Sequence, residues 1–259
     1  MIAVSDAGFW LTGRIESTEG GHPIGITEAR VGPLVAQSGR RLKGAREVDA
    51  EAVRLVEGTP DNGAVLISFE RIHRIGRFRV GRHGIEGPAH YLKLPAYVRS
   101  LHRNRGIESV AQLRAGRYKG ATVAFAEGRR DARGHLRGWL IRRGRSQNIF
   151  LRAMAGFDIT DMAGLPDGGL IVLERRFRWS EGIKMRVRRI TAGEIRPGAV
   201  MKGKVLFEAD HKYNIDNMEG IAVHRTAGGE IILTLISDDN FRFFQRTLLM
   251  RFAIAKPGT

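Results

Sequence analysis

Apolar residues in this chain come in short runs, and a turn signal precedes each one. Ala64-Val-Leu-Ile-Ser-Phe69, Ala121-Thr-Val-Ala-Phe125, Gly169-Leu-Ile-Val-Leu173 and Glu230-Ile-Ile-Leu-Thr-Leu-Ile236 follow Asp61-Asn-Gly63, Lys119-Gly120, Asp167-Gly-Gly169 and Gly228-Gly229. Runs this short, bounded by Gly, Asn and Asp, read as buried strands closed by hairpin turns. Asp167-Gly168-Gly169 is read as such a turn, not as a phosphate cradle. Helical periodicity is nearly absent. The best helical candidate is the short segment 96–103, just after Pro95.

The runs recur in a shared context. One acid opens a unit and another closes its second strand: Glu51 and Glu70, Glu108 and Glu127, Glu219 and Asp238, each pair 19 residues apart. A fourth unit, Asp161 to Glu174, is shorter at 13 residues. Val4-Ser5-Asp6 matches the closing pattern at the start of the chain. Closing acids at 6, 70, 127, 174 and 238 are separated by steps of 64, 57, 47 and 64. Periods of this size, each with about four short strands, predict the blades of a β-propeller. Segments 183–190 and 199–207 supply outer strands of a blade. The expectation is an all-β, single-domain propeller over residues 1–259, with about five to six four-stranded blades and the first incomplete at its N-terminus.

An antiparallel hairpin sets the start of its first strand beside the end of its second. If first strands line the channel, Glu51, Glu70, Glu108, Glu127, Asp161, Glu174, Glu219 and Asp238 gather at one mouth. Composition changes this picture little. Hydrophobic residues make up 42% of the chain, enough for a sizeable core, and no apolar run nears the length of a membrane helix. There is no Cys, which excludes disulfides and thiolate metal sites. The net charge of +16 invites a nucleic-acid reading, but it comes from 35 Arg scattered along the chain against 8 Lys. The densest stretch, 128–145, has one aromatic, Trp139, and reads as a solvated sheet edge. Nucleic acid therefore ranks last among the partners. Residues 1–10 carry neither a basic region nor a long apolar one, so no export signal is read there.

Several segments carry a resemblance. Ile67-Ser-Phe-Glu-Arg-Ile-His-Arg74, Asn104-Arg-Gly-Ile-Glu108, Thr160-Asp-Met-Ala-Gly-Leu-Pro-Asp-Gly168, Val172-Leu-Glu-Arg-Arg-Phe177, Asn217-Met-Glu-Gly-Ile-Ala222, Ser237-Asp-Asp-Asn-Phe241 and Gln245-Arg-Thr-Leu-Leu249 occur in order along nearly the whole chain. In these motifs it resembles the bacterial phytase-like propeller family, also described as esterase-like activity of phytase. The resemblance implies an exported, periplasmic protein; the chain as it begins implies a cytoplasmic one. The Asp-Asp-Pro-Ala motif of calcium-dependent alkaline phytases is missing, so phytase activity itself is not carried over.

Crowded carboxylates raise one another's pKa and call for cations. An all-oxygen set suits Ca²⁺. The candidate metal ligands are Glu219, Asp238 and Asp239, with Asn217 and Asn240 adding oxygens, and then Asp6, Glu70 and Glu174. Arg71, His73, Arg74, Arg175 and Arg176 follow closing acids and are the candidate substrate-binding cations, since Arg grips phosphate bidentately. The structural alternative pairs Glu70 with Arg71 and Glu174 with Arg175 as scaffold ion pairs. Phe241, Phe243 and Phe244 are expected to pack between blades. No Gly-x-Ser-x-Gly elbow, His-Glu-x-x-His or phosphate-binding Gly-Lys loop is present. The functional expectation is a monomeric, metal-dependent hydrolase of phosphoesters or related anionic esters at the channel mouth. The alternative is a non-catalytic propeller that binds a small ligand or a protein.

Overall fold

The computed structural model describes residues 1–100 and 106–255. Its strands fall into five sheets, antiparallel but for one short pairing, arranged as the blades of a propeller. The first holds β1 (Ile2–Ser5), β2 (Phe9–Ser17) and β3 (Pro23–Pro33). The second holds β4 (Ala50–Thr59), β5 (Asn62–Phe69), β6 (Arg74–Gly81) and β7 (Gly84–Tyr91). The third holds β8 (Ile107–Gln112), β9 (Thr122–Arg130), β10 (Leu136–Arg142) and β11 (Arg145–Leu151). The fourth holds β12 (Asp158–Gly164), β13 (Leu170–Arg178), β14 (Gly182–Ile190) and β16 (Lys204–Ala209), while β15 (Val200–Met201), between β14 and β16 in sequence, crosses back to join the third sheet in parallel with β11. The fifth holds β17 (Met218–Arg225), β18 (Ile231–Ser237) and β19 (Leu249–Ile254). The segment read as a helix over 96–103 is a short 3-10 turn at Ala96–Ser100, and the rest of it lies outside the described residues, as do Asn104 and Arg105.

In the second, third and fourth sheets the second strands carry runs of consecutive apolar residues because those sheets are covered on both faces by neighbouring blades. Successive residues therefore enter different cores. Val65 and Ile67 of β5 pack with Trp10 and Phe78 between the first two sheets, while Leu66 packs with Trp139 and Val110 between the second and third. Leu170 and Val172 of β13 face the third sheet, and Ile171 and Leu173 face the fifth. Burying each such side chain contributes about 1.5–3 kcal/mol. Among the described residues these four cores join sheets one to five in order. The fifth sheet meets the first through polar contacts, with Arg251 Nη1 donating to Ser17 Oγ at 2.6 Å. First strands β4, β8, β12 and β17 lie side by side around the axis, and β1 packs against β4.

One buried site in this apolar scheme is ionic. Glu174 of β13 sits where β5 has Phe69 and β9 has Ala126, and its Oε1 lies 2.5 Å from Nη2 of Arg188, both side chains at 0% exposure. Arg188 Nη1 also donates to the carbonyls of Arg152 at 3.0 Å and Lys202 at 2.9 Å. Glu174 is thus removed from the acids of the channel. Its expected scaffold partner, Arg175, is replaced by Arg188. The stretch 128–145 is exposed at its β10–β11 turn, 142–145, while Trp139 is fully buried.

Arg188→Ala leaves a buried, unpaired carboxylate and is expected to lower the unfolding free energy by about 3–5 kcal/mol in denaturant titration. Glu174→Leu/Arg188→Met should recover part of that loss. Equal losses in both variants would show that the pair is not what the blade depends on.

Candidate functional site

The same irregularity occurs in four inner strands. In β4 the register passes from Ala50↔Phe69 to Ala52↔Ser68, leaving Glu51 as the extra residue of a bulge. In β8 the skipped residue is Glu108, in β12 Thr160 and in β17 Glu219. A bulge bends its strand and re-aims the extra side chain. Here it lies at the end of the inner strand, beside the residue that closes the second strand. Those closing residues are Glu70, Glu127, Arg175 and Asp238, with Asp6 at the end of β1. The backbone confirms the equivalence: the N–H of Glu70 donates to Asp49, that of Glu127 to Gly106, and that of Asp238 to Asn217, at 2.9, 3.0 and 2.9 Å.

This register corrects the alignment of the fourth unit. Thr160 and Arg175, not Asp161 and Glu174, occupy its opening and closing positions. Asp161 is one residue further along and wholly buried. It is ion-paired with Arg54 of β4, and its Oδ2 accepts the N–H of Ile221 of β17 at 2.8 Å. Arg54 Nε donates to the Met162 carbonyl at 2.8 Å. Asp161 thus ties three blades together. Arg175 instead pairs with Glu219 of the next blade.

The acids that remain converge between the second and third blades. Oxygens of Asp49, Glu51 and Glu70 lie within 4.8 Å of one another, as do those of Glu70, Glu108 and Glu127. Glu70 belongs to both groups. The blades approach this closely because residue 106 is glycine: a Cβ there would collide with Glu70 and meet His73 Nδ1. The Gly106 N–H donates to Glu70 Oε1 at 3.2 Å. Burial, and then the charges of Asp49, Glu70, Glu219 and Asp6, push the Glu51 carboxyl up to about 8. Burial and then Glu51, Glu70 and Glu127 hold Glu108 well above the carboxylate range. Asp49 is raised by burial, with Arg71 opposing. All of these but Asp49 had been assigned to the mouth from sequence, yet only Glu70 among them was named as a ligand. The alternation Asp49-Ala50-Glu51 was the available signal for Asp49.

The other expected residues divide clearly. Asp6, Glu219 and Asp238 line the same cavity of about 1810 Å³ as the acid cluster. Burial raises the Glu219 carboxyl, and Arg175 and a hydrogen bond from Asn217 oppose the rise. Asp239 is occupied in a loop, accepting from Phe241 N at 2.9 Å and Thr247 Oγ1 at 3.1 Å. Arg71 pairs with Asp49 at 2.8 Å, not with Glu70, because Asp49 precedes the bulge on the adjoining strand. His73 stands beside Glu70 at Gly106. Arg175 and Arg176 line the cavity. Arg74 turns away, stacked 3.7 Å over Phe69 and donating to the Glu47 carbonyl. Phe241, Phe243 and Phe244 do not pack between blades. They are exposed, because the loop that carries them is held out by its own aspartates.

A sequence profile described as phytase-like, esterase-like activity of phytase, matches residues 1–241. No curated protein sequence matches closely enough to count as a relative. Among solved structures, the endo-arabinase from Bacteroides thetaiotaomicron is similar in fold, with a TM-score of 0.52 at 11% identity, covering 99% of this chain and 93% of that one.

A carboxyl raised from 4.5 to about 8 keeps its proton in the folded state and loses it on unfolding between those values. Its stabilisation is therefore full below the unfolded pKa and is lost as pH rises through the folded one. Glu108 and Asp49 shift in the same direction. In chelator-treated protein Tm is expected to fall from about pH 5 to about pH 8. Added Ca²⁺ should raise Tm more at the higher pH, where protons no longer compete for the same oxygens. A Tm that rises with pH and ignores Ca²⁺ would rule out the crowding.

Proposed function

We propose, from the premise that this chain belongs to the phytase-like family described as esterase-like activity of phytase, that its channel is a metal-dependent hydrolytic site for a phosphoester or related anionic ester. The observation that carries this reading is the sharing of Glu70 between two carboxylate groups, each tight enough to surround one cation. The donor set is oxygen only, which fits a hard dication of the Ca²⁺ type. Asp49, Glu51 and Glu70 would hold one ion, and Glu70, Glu108 and Glu127 a second. Bound there, such an ion would polarise an ester oxygen and lower the pKa of a water.

The rest of the work falls to the chain's own residues. The bulges fix the direction of Glu51 and Glu108 on rigid inner strands, so the carboxylates are preorganised. The cores behind them lower the local polarity on one side, which strengthens charge interactions at the cavity wall. Arg175 is held at the mouth by Glu219, and its fork has five N–H donors, more than one carboxylate uses. It can therefore orient an anionic group while staying paired. Thr160 keeps the fourth blade uncharged at the bulge, its Oγ1 donating to the Met218 carbonyl at 3.1 Å. The family resemblance supports an exported protein. No helix among the described residues is long and apolar enough to cross a membrane.

One observation favours a second reading, a propeller that binds a ligand without catalysis. Arg175 and Glu219 close an ion pair from blade to blade, as in a scaffold. Calorimetric titration of chelator-stripped protein with Ca²⁺ separates the two. Saturable binding is expected, lost in Glu70→Gln and reduced less in Glu219→Gln. Metal-dependent hydrolysis of an anionic ester should disappear with it. Absence of binding in a folded protein would overturn the metal-hydrolase reading and leave the second.

A further inference from the structure

Five aromatic side chains are left in solvent on one side of the propeller. Phe177 and Trp179 stand at the β13–β14 hairpin, 57% and 94% exposed, and Phe241, Phe243 and Phe244 stand on the β18–β19 loop, 91%, 100% and 63% exposed. Both connections follow a second strand, so antiparallel pairing places them at the end of the blades that carries the closing acids. Phe177, Trp179, Phe241 and Phe244 line the same cavity as Glu51, Glu70 and Glu108. Isolated exposed apolar residues are ordinary, but a cluster at a cavity mouth marks a binding surface.

Four of the rings meet in pairs. Phe177 and Trp179 meet edge to face at 5.3 Å and 74°, and Phe243 and Phe244 at 5.4 Å and 88°. Asn240 and Phe241 both adopt positive φ, 49° and 54°, an uncommon backbone for a bulky residue. Asp238 and Asp239 hold that turn by accepting the N–H groups of Asn240 and Phe241, both at 2.9 Å. Cations sit among the rings. Arg242 lies 5.7 Å from the Phe244 ring centre. Arg176, Arg178 and Lys184 share the one carboxylate of Glu181, which leaves a positive surplus beside Phe177. Flat apolar walls beside a cationic surplus, opening into a carboxylate channel, are complementary to a molecule that is aromatic and anionic.

We propose that Phe177, Trp179, Phe241 and Phe244 form an aromatic clamp that takes the ring of an aryl phosphoester, with Arg176 and Arg242 attracting its anionic group toward the channel. The proposal rests on the hydrolytic reading for its ester, but the clamp itself is testable without metal or turnover. Phenylphosphonate and methylphosphonate carry the same anionic group and no hydrolysable ester. Trp179 reports binding directly, because the other two tryptophans, Trp10 and Trp139, are 7% and 0% exposed.

Titration of chelator-treated protein, followed by tryptophan emission, is expected to show quenching or a blue shift with phenylphosphonate, at a Kd about tenfold or more below that of methylphosphonate. In Phe177→Ala/Phe244→Ala, which keeps the reporter, the ratio should fall toward one. In Glu51→Gln/Glu70→Gln it should persist, so that failure of the metal site and failure of the clamp are told apart. Equal affinity for the two phosphonates in the unaltered protein overturns the clamp, even if Ca²⁺-dependent hydrolysis is found. Equal affinity with a blue shift on phosphatidylglycerol-containing vesicles overturns it in favour of a lipid-docking face.

Discussion

One extra residue in each of four inner strands decides where the charges of the channel point. Without the bulge, Glu51 and Glu108 would take their turn in the in-and-out alternation of a strand packed between two blades. Half of those positions are buried against apolar neighbours such as Ala52, Val110 and Trp139. With it, each acid leaves the ladder beside the closing residue of its own hairpin. Burial and the neighbouring acids then act together, and the carboxyls of Glu51 and Glu108 are pushed upward. The acid cluster is a consequence of this backbone geometry, repeated blade by blade.

Several carboxylates elsewhere in the molecule have found cations. Asp161 has Arg54, Glu174 has Arg188, Asp158 has Arg130 and Glu219 has Arg175. These pairs bind blade to blade or strand to strand, and desolvation is tolerable because each charge is compensated. These four arginines thus serve as scaffold. Among the described residues, Arg71 reaches the edge of the cluster through Asp49, and His73 stands beside Glu70. Burial and mutual repulsion raise Glu51 and Glu108, so protons compete for these oxygens.

The two ends of the cavity then have different chemistry. The floor between the second and third blades is dense in oxygen and negative. The rim formed by the fourth and fifth blades is aromatic and cationic, with Asp238 and Asp239 spent on the turn that presents Phe241. A loop that would bury its phenylalanines between blades needs no such support. The mouth of this channel is asymmetric because the fourth blade carries Thr160 and Arg175 where the second and third carry acid pairs.

Much of this was legible in the chain itself. Short apolar runs between turn signals, recurring with spaced acids, point to an all-β propeller, because strands covered on both faces are apolar at consecutive positions and runs this short are too brief for helices. The spacing of Glu51 to Glu70 and Glu108 to Glu127 also placed those acids at one mouth, since hairpin pairing is local. Register was not legible at Asp161, where a slip of one residue exchanges a channel position for a buried one and no composition signal marks it. Nor were partners: Arg71 lies next to Glu70 in sequence yet pairs with Asp49, and Glu174 finds Arg188 across a strand. The sequence by itself determined the architecture and the end of the blades where the acids gather. Only the tertiary structure decided which acids meet, which are neutralised and which aromatics remain in solvent, because those outcomes depend on distances between blades that no local pattern encodes.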